Sequence, residues 1–225
     1  MNFYDYAKNN IPCEFVTCNC PSARSIRNFR SIRERIRKKI KNIKPYSFTY
    51  IDEEKKLAYF DVPKSASTTI RNFFFNKNPL DYRKTYHGSL DSHFKFSFVR
   101  NPWSRMVSNW KMFTTQPKRI YQLKSITSSN LNRFEDFLYF TTKVKNHHWL
   151  PQTLFIPQEV DFVGKIETFN EDIKNIFEYV QEPYKKLEKR NKTFESDFRK
   201  YYSNQTKDLV AEIYKEDIKR FKYNF

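Results

Sequence analysis

LAYFDVPKSASTTIRNFFFN, residues 57–76, is the stretch around which the chain is organised. It opens with a short, mostly apolar run, Leu57 to Val62, continues through a tight segment, Pro63 to Ser67, and enters a run that reads as a helix from about Thr68 to Asn76. Strand, turn and helix together gather backbone N–H groups at one point. The first helical N–H groups lack intrahelical partners and the helix dipole adds positive charge, so such a point suits an anion. Here the turn also carries Lys64 and the hydroxyls of Ser65, Ser67, Thr68 and Thr69, a donor set suited to phosphate or sulfate. A Walker-type loop needs GxxxxGK[ST]. The only glycines are Gly88 and Gly164, both outside the turn, so a standard P-loop NTPase is excluded. An ordinary strand-to-helix turn with Ser and Thr as caps is the plain alternative.

Composition widens the picture. At 225 residues the chain is long enough for one domain with a full α/β core. Aromatics make up 18% of it, with 23 Phe and 15 Tyr, so an aromatic-rich core is expected. The 42 basic and 25 acidic residues give a net charge of +17, which implies an anionic partner: nucleic acid, acidic polysaccharide, membrane surface or a polyanionic small molecule. Cys13, Cys18 and Cys20 are the only cysteines. Three without an evident fourth ligand argue against a zinc site and read as free thiols in a reducing compartment, one disulfide being the alternative. Neither a signal peptide nor a run of about 18 apolar residues is present, so the chain reads as cytoplasmic, with a Golgi-lumenal location only if an anchor has been removed.

Taken in order, residues 1–45 form an N-terminal segment with a basic helix, and residues 46–225 one domain. Ile26, Phe29, Ile32, Ile36, Ile40 and Ile43 recur at helical spacing within residues 24–44, with arginines and lysines on the other faces. The plain reading is a docked helix with a solvated basic face; an acceptor-polysaccharide surface, a membrane-surface helix and a dimer contact are the sharper ones. Strands are expected at Ser47–Asp52, Lys56–Val62, Tyr82–Tyr86, Phe94–Val99 and Asp161–Lys165. Helices are expected from Pro102, over Phe134–Val144, over Asn170–Val180, and from a Ser203 or Asn204 cap to Phe221, while 114–130 reads as polar and mobile. Alternation of strands and helices predicts a single α/β domain with a mostly parallel central sheet flanked by helices.

A second motif joins the first. Residues 96–110 read FSFVRNPWSRMVSNW: a strand, Arg100 at its end, and a helix carrying Arg105 and Ser108. Ser108 lies eight residues after Arg100, about two helical turns on, so a guanidinium fork and a hydroxyl can hold one phosphate from two sides.

Together these motifs carry a family resemblance. PKSASTT resembles the Pro-Lys-x-Ala-Ser-Thr-Thr form of the 5′-phosphosulfate loop of carbohydrate sulfotransferases, whose fold is P-loop-like. RNPWSRMVS resembles the family's 3′-phosphate motif, Arg-Asn/Asp-Pro-x-x-Arg-x-x-Ser, at every fixed position. His148-Trp149-Leu150-Pro151-Gln152 and Asp161-Phe162-Val163-Gly164-Lys165-Ile166-Glu167 look like the HWxPQ and DFVGKxE stretches of the family 2 type. The closing segment, from Tyr201 to Phe225, is similar to its C-terminal helix and aromatic end. The resemblance covers about residues 56–112 and 147–225.

It implies transfer of a sulfuryl group from 3′-phosphoadenosine-5′-phosphosulfate (PAPS) to an acceptor hydroxyl of a carbohydrate, releasing PAP, without a metal. By the same resemblance Lys64 contacts the bridging and sulfuryl oxygens. Ser65, Ala66, Ser67, Thr68 and Thr69 hold the 5′-phosphate, and Arg100 and Ser108 the 3′-phosphate. Arg105 braces the site through a carboxylate, and Arg190 and Lys192 close over the donor. The acceptor hydroxyl needs a base. His87 is the first candidate, His93 the second; His148 has a structural or acceptor role as its alternative, Glu167 an ion pair, and His147 belongs at the surface. The acceptor, taken to be a glycan, would meet the uncovered stretches, the basic helix and 113–146. Two other readings stay open: the same transfer to a non-carbohydrate alcohol, and a basic nucleic-acid-binding module. The latter is not expected, because base-stacking or groove-reading features are absent and only charge supports it.

Overall fold

The computed structural model describes residues 49–75, 90–187 and 197–225. The basic segment 24–44, the three cysteines, the expected strand at 82–86, His87, Arg190 and Lys192 all lie outside the described residues.

Four strands form one sheet in the order β1-β2-β3-β4: β1 Thr49–Asp52, β2 Leu57–Phe60, β3 Phe94–Val99 and β4 Phe162–Lys165. The β1–β2 pair is antiparallel, closed by a four-residue turn; β2–β3 and β3–β4 are parallel. The sheet is therefore mostly parallel, as the alternation of strands and helices predicts. Parallel pairing sets Leu57 opposite Phe94, Tyr59 opposite Phe96 and Phe98 opposite Gly164, all on one face. Gly164 is required by contact rather than by backbone angle: a Cβ there would lie 2.4 Å from the Phe98 ring.

That face is packed with rings. Tyr59 stacks on Phe96 at 5.1 Å and on Phe75 at 6.1 Å, and Ile70, Phe74, Ile173 and Phe177 complete the cluster. Helix α1, Ser67–Ile70, runs directly into a π-helical turn, Arg71–Phe75. The wider turn directs the consecutive Phe74 and Phe75 into the core, where the expected α-helix would have used Phe73 and Phe74.

On the opposite face Val62, Val99 and the partly buried Val163 meet a second cluster, built on α2 Pro102–Thr115, α4 Phe134–Lys143, α7 Asn204–Ile213 and α8 Lys215–Phe221. Residues 114–130 are not a bare polar loop: Pro117 starts helix α3, Pro117–Lys124, which buries Leu123. The helix expected over 170–180 is two short pieces, α5 Phe169–Asp172 and α6 Lys174–Tyr179. Ser203 caps α7 through a reciprocal box with Thr206, and the final helix breaks at Tyr214, whose hydroxyl donates to Trp149 O at 2.6 Å.

Candidate active site

The C-terminal ends of β2 and β3 lie side by side, each followed by a turn and a helix. In the β2 turn, Lys64 and Ala66 have positive φ (74° and 60°) with Ser65 between them. Alternating signs of φ turn successive N–H groups toward one side, as glycines commonly allow. Ser65 N–H is bonded to Val62 O. The N–H groups of Ser67, Thr68 and Thr69, like the hydroxyls of Thr68 and Thr69, have no acceptor among the described residues. Two of the hydroxyls in the expected set turn inward instead. Ser65 Oγ, fully buried, points to Gln152 Oε1 at 3.4 Å, and Ser67 Oγ bonds the Asp61 carboxylate. Burial raises the pKa of Asp61, and the nearby Arg71 opposes that rise.

The β3 turn is built differently. Asn101 caps α2 by accepting from the N–H of Trp103 and Ser104, and its Nδ2 donates to Asn224 O at 2.8 Å. Arg100 is tied at both backbone ends to Gln152, its N–H to Oε1 at 2.9 Å and its carbonyl from Nε2 at 2.8 Å. Its Nε donates to Ser104 Oγ at 2.9 Å, one turn before the buried Ser108 on the same helix face. Glu167 sits beside Arg100, accepting from Asn101 N–H at 2.8 Å and Tyr223 O–H at 3.0 Å. Burial lowers the pKa of Arg100 to about 10, with Glu167 acting in the opposite direction.

Arg105 is 1% exposed and each of its three nitrogens is hydrogen-bonded, but not to the expected carboxylate. Its Nε donates to Pro63 O at 3.0 Å, Nη1 to Leu150 O at 2.8 Å and Nη2 to His148 O at 3.0 Å. It therefore fastens the start of the Lys64 turn to the His148–Leu150 segment. Gln152, behind that segment, is fixed by Asp217 of α8, whose buried carboxylate accepts from the N–H of Gln152 (2.7 Å) and Thr153 (2.9 Å). Gln152 belongs to the HWxPQ stretch and Asp217 to the closing segment that carry the resemblance, but neither they nor Ser104 had a site role in the sequence reading.

Lys64 reaches along α2, its Nζ 3.6 Å from Met112 Sδ, and makes no ion pair among the described residues. Its pKa is lowered to about 8, first by burial and then by the positive charges of Arg100, Arg119 and Arg105. Lys64 thus holds its charge among other cations, a setting that favours a bound polyanion. Arg119, on α3, joins this group from outside both motifs.

The histidines separate. His148 is buried; its Nδ1 lies 2.8 Å from Asn146 Oδ1 and its ring meets Phe113 edge-on at 5.4 Å. An amide oxygen only accepts, so Nδ1 carries the proton and Nε2 keeps its lone pair. Burial, followed by His147, Arg119, Lys64 and Arg105, holds the ring neutral well below the usual histidine range. His147 is half-buried, its ring centroid 3.9 Å from that of His148. His93 stands at the opposite end of the sheet. It precedes β3, with Nε2 3.2 Å from Glu53 Oε2, so the length of the strand, ~20 Å, separates it from the Arg100 end. The structure brings together Lys64, the Thr68–Thr69 turn, Arg100, Ser108 and His148, and leaves His93 outside.

Residues 48–224 match the sequence model of the sulfotransferase family, of the family 2 type. The chain belongs to that family, a transferase family of sulfuryl transfer between a sulfate donor and a hydroxyl acceptor. No curated protein and no solved structure matches the chain. Among the described residues, no helix is long and apolar enough to cross a membrane.

Proposed function

We propose that the chain transfers the sulfuryl group of PAPS to a hydroxyl of a carbohydrate acceptor and releases PAP. The observation that carries this reading is Lys64: a half-buried cation with no ion pair among the described residues, beside a turn with unused N–H groups and within the field of three arginines. Such a site favours a ligand with several negative charges.

The donor supplies the sulfuryl group, and the residues supply position and charge. The N–H groups of Ser67, Thr68 and Thr69, with the two threonine hydroxyls, receive the 5′-phosphate. The Arg100 fork, steered by Ser104, receives the 3′-phosphate with Ser108. Lys64 offsets the charge that grows on the departing phosphate, which is the main catalytic demand of in-line transfer. Ser65 and Ala66 shape the turn, and Arg190 and Lys192 close over the donor. His148 removes the acceptor proton at Nε2, since a neutral ring close to Lys64 suits that task; His87 is the alternative base.

Calorimetry with PAP, followed by transfer from radiolabelled PAPS to a glycan panel, tests the reading. Micromolar PAP binding and a large loss of rate in His148→Ala, with PAP affinity kept, are expected. No PAP binding sinks the donor assignment; full activity of His148→Ala combined with loss in His87→Ala moves the base to His87.

A further inference from the structure

The registered pairing of β2 with β3 ends at Phe60–Ser97, before either corner of the site is reached. The corners themselves are tied through a segment from elsewhere in the chain, His148–Gln152. Arg105 bonds Pro63 O, at the start of the first corner, together with the carbonyls of His148 and Leu150. Two residues on, Gln152 reaches both corners with one side chain. Its Oε1 lies 3.4 Å from Ser65 Oγ, inside the Lys64 turn. The same oxygen accepts from Arg100 N–H at 2.9 Å, and Nε2 donates to Arg100 O at 2.8 Å.

That pair of bonds lays the amide against the Arg100 backbone as a neighbouring strand would lie, and it fixes which end of the amide faces which group. The backbone of Gln152 is anchored in turn. It starts a 3-10 turn, Gln152–Leu154, whose first two N–H groups donate to the buried carboxylate of Asp217. Gln152 has no exposed surface, so it acts through the corners and not on a ligand.

A nucleotide with phosphates at two positions of one ribose presents them at a nearly fixed separation. Once one is bound, the second contact is intramolecular, and its gain depends on the two corners standing at the matching distance. An error of about 1 Å can cost on the order of 10²-fold.

We propose that Gln152 is the positioning residue that sets this distance, and that through it the chain selects a donor phosphorylated at both the 5′ and 3′ positions over one carrying a single phosphate. This rests on the sulfuryl-transfer reading above.

The test compares three nucleotides on the full chain by displacement calorimetry: PAP, adenosine 5′-phosphate and adenosine 3′-phosphate. The wild type should hold PAP at least about 100-fold more tightly than either monophosphate. Gln152→Leu keeps the bulk and removes the amide. It should weaken PAP about 30-fold and leave each monophosphate within about threefold, because each corner survives and only their spacing is lost. General damage to the fold would weaken all three alike. Gln152→Glu reads the same bond in a second way. A protonated carboxyl accepts from Arg100 N–H and donates to Arg100 O as the amide does, whereas an ionised one cannot donate. The advantage of PAP over the monophosphates, taken relative to the wild type at each pH, should be small at about pH 8 and return toward about pH 5, since burial favours the protonated carboxyl. If Gln152→Leu fails to fold, the Gln152→Glu profile decides alone. A wild type that does not bind PAP overturns the donor reading and this proposal with it. A wild type that binds PAP no better than the monophosphates, a folded Gln152→Leu protein that keeps the PAP advantage or loses all three nucleotides equally, or a Gln152→Glu advantage that does not change with pH overturns the role of Gln152 alone.

Discussion

The turns after β2 and β3 follow one plan, strand then turn then helix, and leave opposite things unsatisfied. After β3, Asn101 takes up the first N–H groups of α2, so the backbone is closed and the guanidinium of Arg100 is what the corner can present to an anion. After β2, no side chain caps α1, two non-glycine residues hold left-handed backbone, and the N–H groups themselves remain open. One corner recognises charge with a side chain, the other with backbone. Left-handed backbone costs ~1–2 kcal/mol per non-glycine residue, so the second corner carries strain that the first does not.

That contrast is broken most severely at Lys64. Lys64→Gln should lower transfer by about 10³-fold, the scale of losing an electrostatic contact made in the transition state. The free protein should not suffer: relief of crowded positive charge should raise Tm by ~2 °C, read by calorimetry. The same residue sets a pH dependence. Its free-state pKa of about 8 lies below the ordinary lysine value, and a bound anion raises it. PAP affinity should therefore be full below pH 8 and fall as pH rises above it, and the fall should vanish in Lys64→Gln. Less severe is a pair of conservative changes. Arg100→Lys should weaken PAP binding by about 30-fold, ~2 kcal/mol for a lost bidentate contact, with little change in Tm. Arg105→Lys should instead lower Tm by ~6 °C, because three buried carbonyls lose matched donors. Equal effects of the two would erase the distinction between ligand-facing and structural arginines. The smallest effect is expected at Ala66→Gly. Relief of the left-handed strain exceeds the added freedom of the unfolded chain by ~0.5 kcal/mol, a gain of ~1–2 °C; a loss of stability would show the turn to be unstrained.

Much of this was legible in the residues, because strand–turn–helix motifs are local. The apolar run before Pro63 and the Pro102 start of α2 placed Lys64 and Arg100 at strand ends without any tertiary information. The position of His93 was also available: a residue before β3 stands at the opposite end of a parallel sheet from the residue after it. What the chain did not reveal depends on distant partners. Ser65 and Ser67 read as ligand donors, yet Gln152 and Asp61 draw their hydroxyls inward. Arg105 read as a partner for a carboxylate, yet three carbonyls from two separate segments converge on it. Arg119 carried no signal, because its neighbours Phe113, Lys64 and His148 come from three different elements. Residues 114–130 looked unstructured because α3 buries a single residue, Leu123, too little for a periodic pattern.

The hold of Asp217 on Gln152, and of Asn224 on Asn101, has a consequence for how the protein is made. Residues 57–108 leave the ribosome early, carrying both proposed phosphate motifs, but the Arg100 corner stays unbraced until positions 217 and 224 emerge. Donor binding is thus among the last properties a nascent chain acquires, and a translation product stopped short of Asp217 would contain the complete signature without a site to show for it.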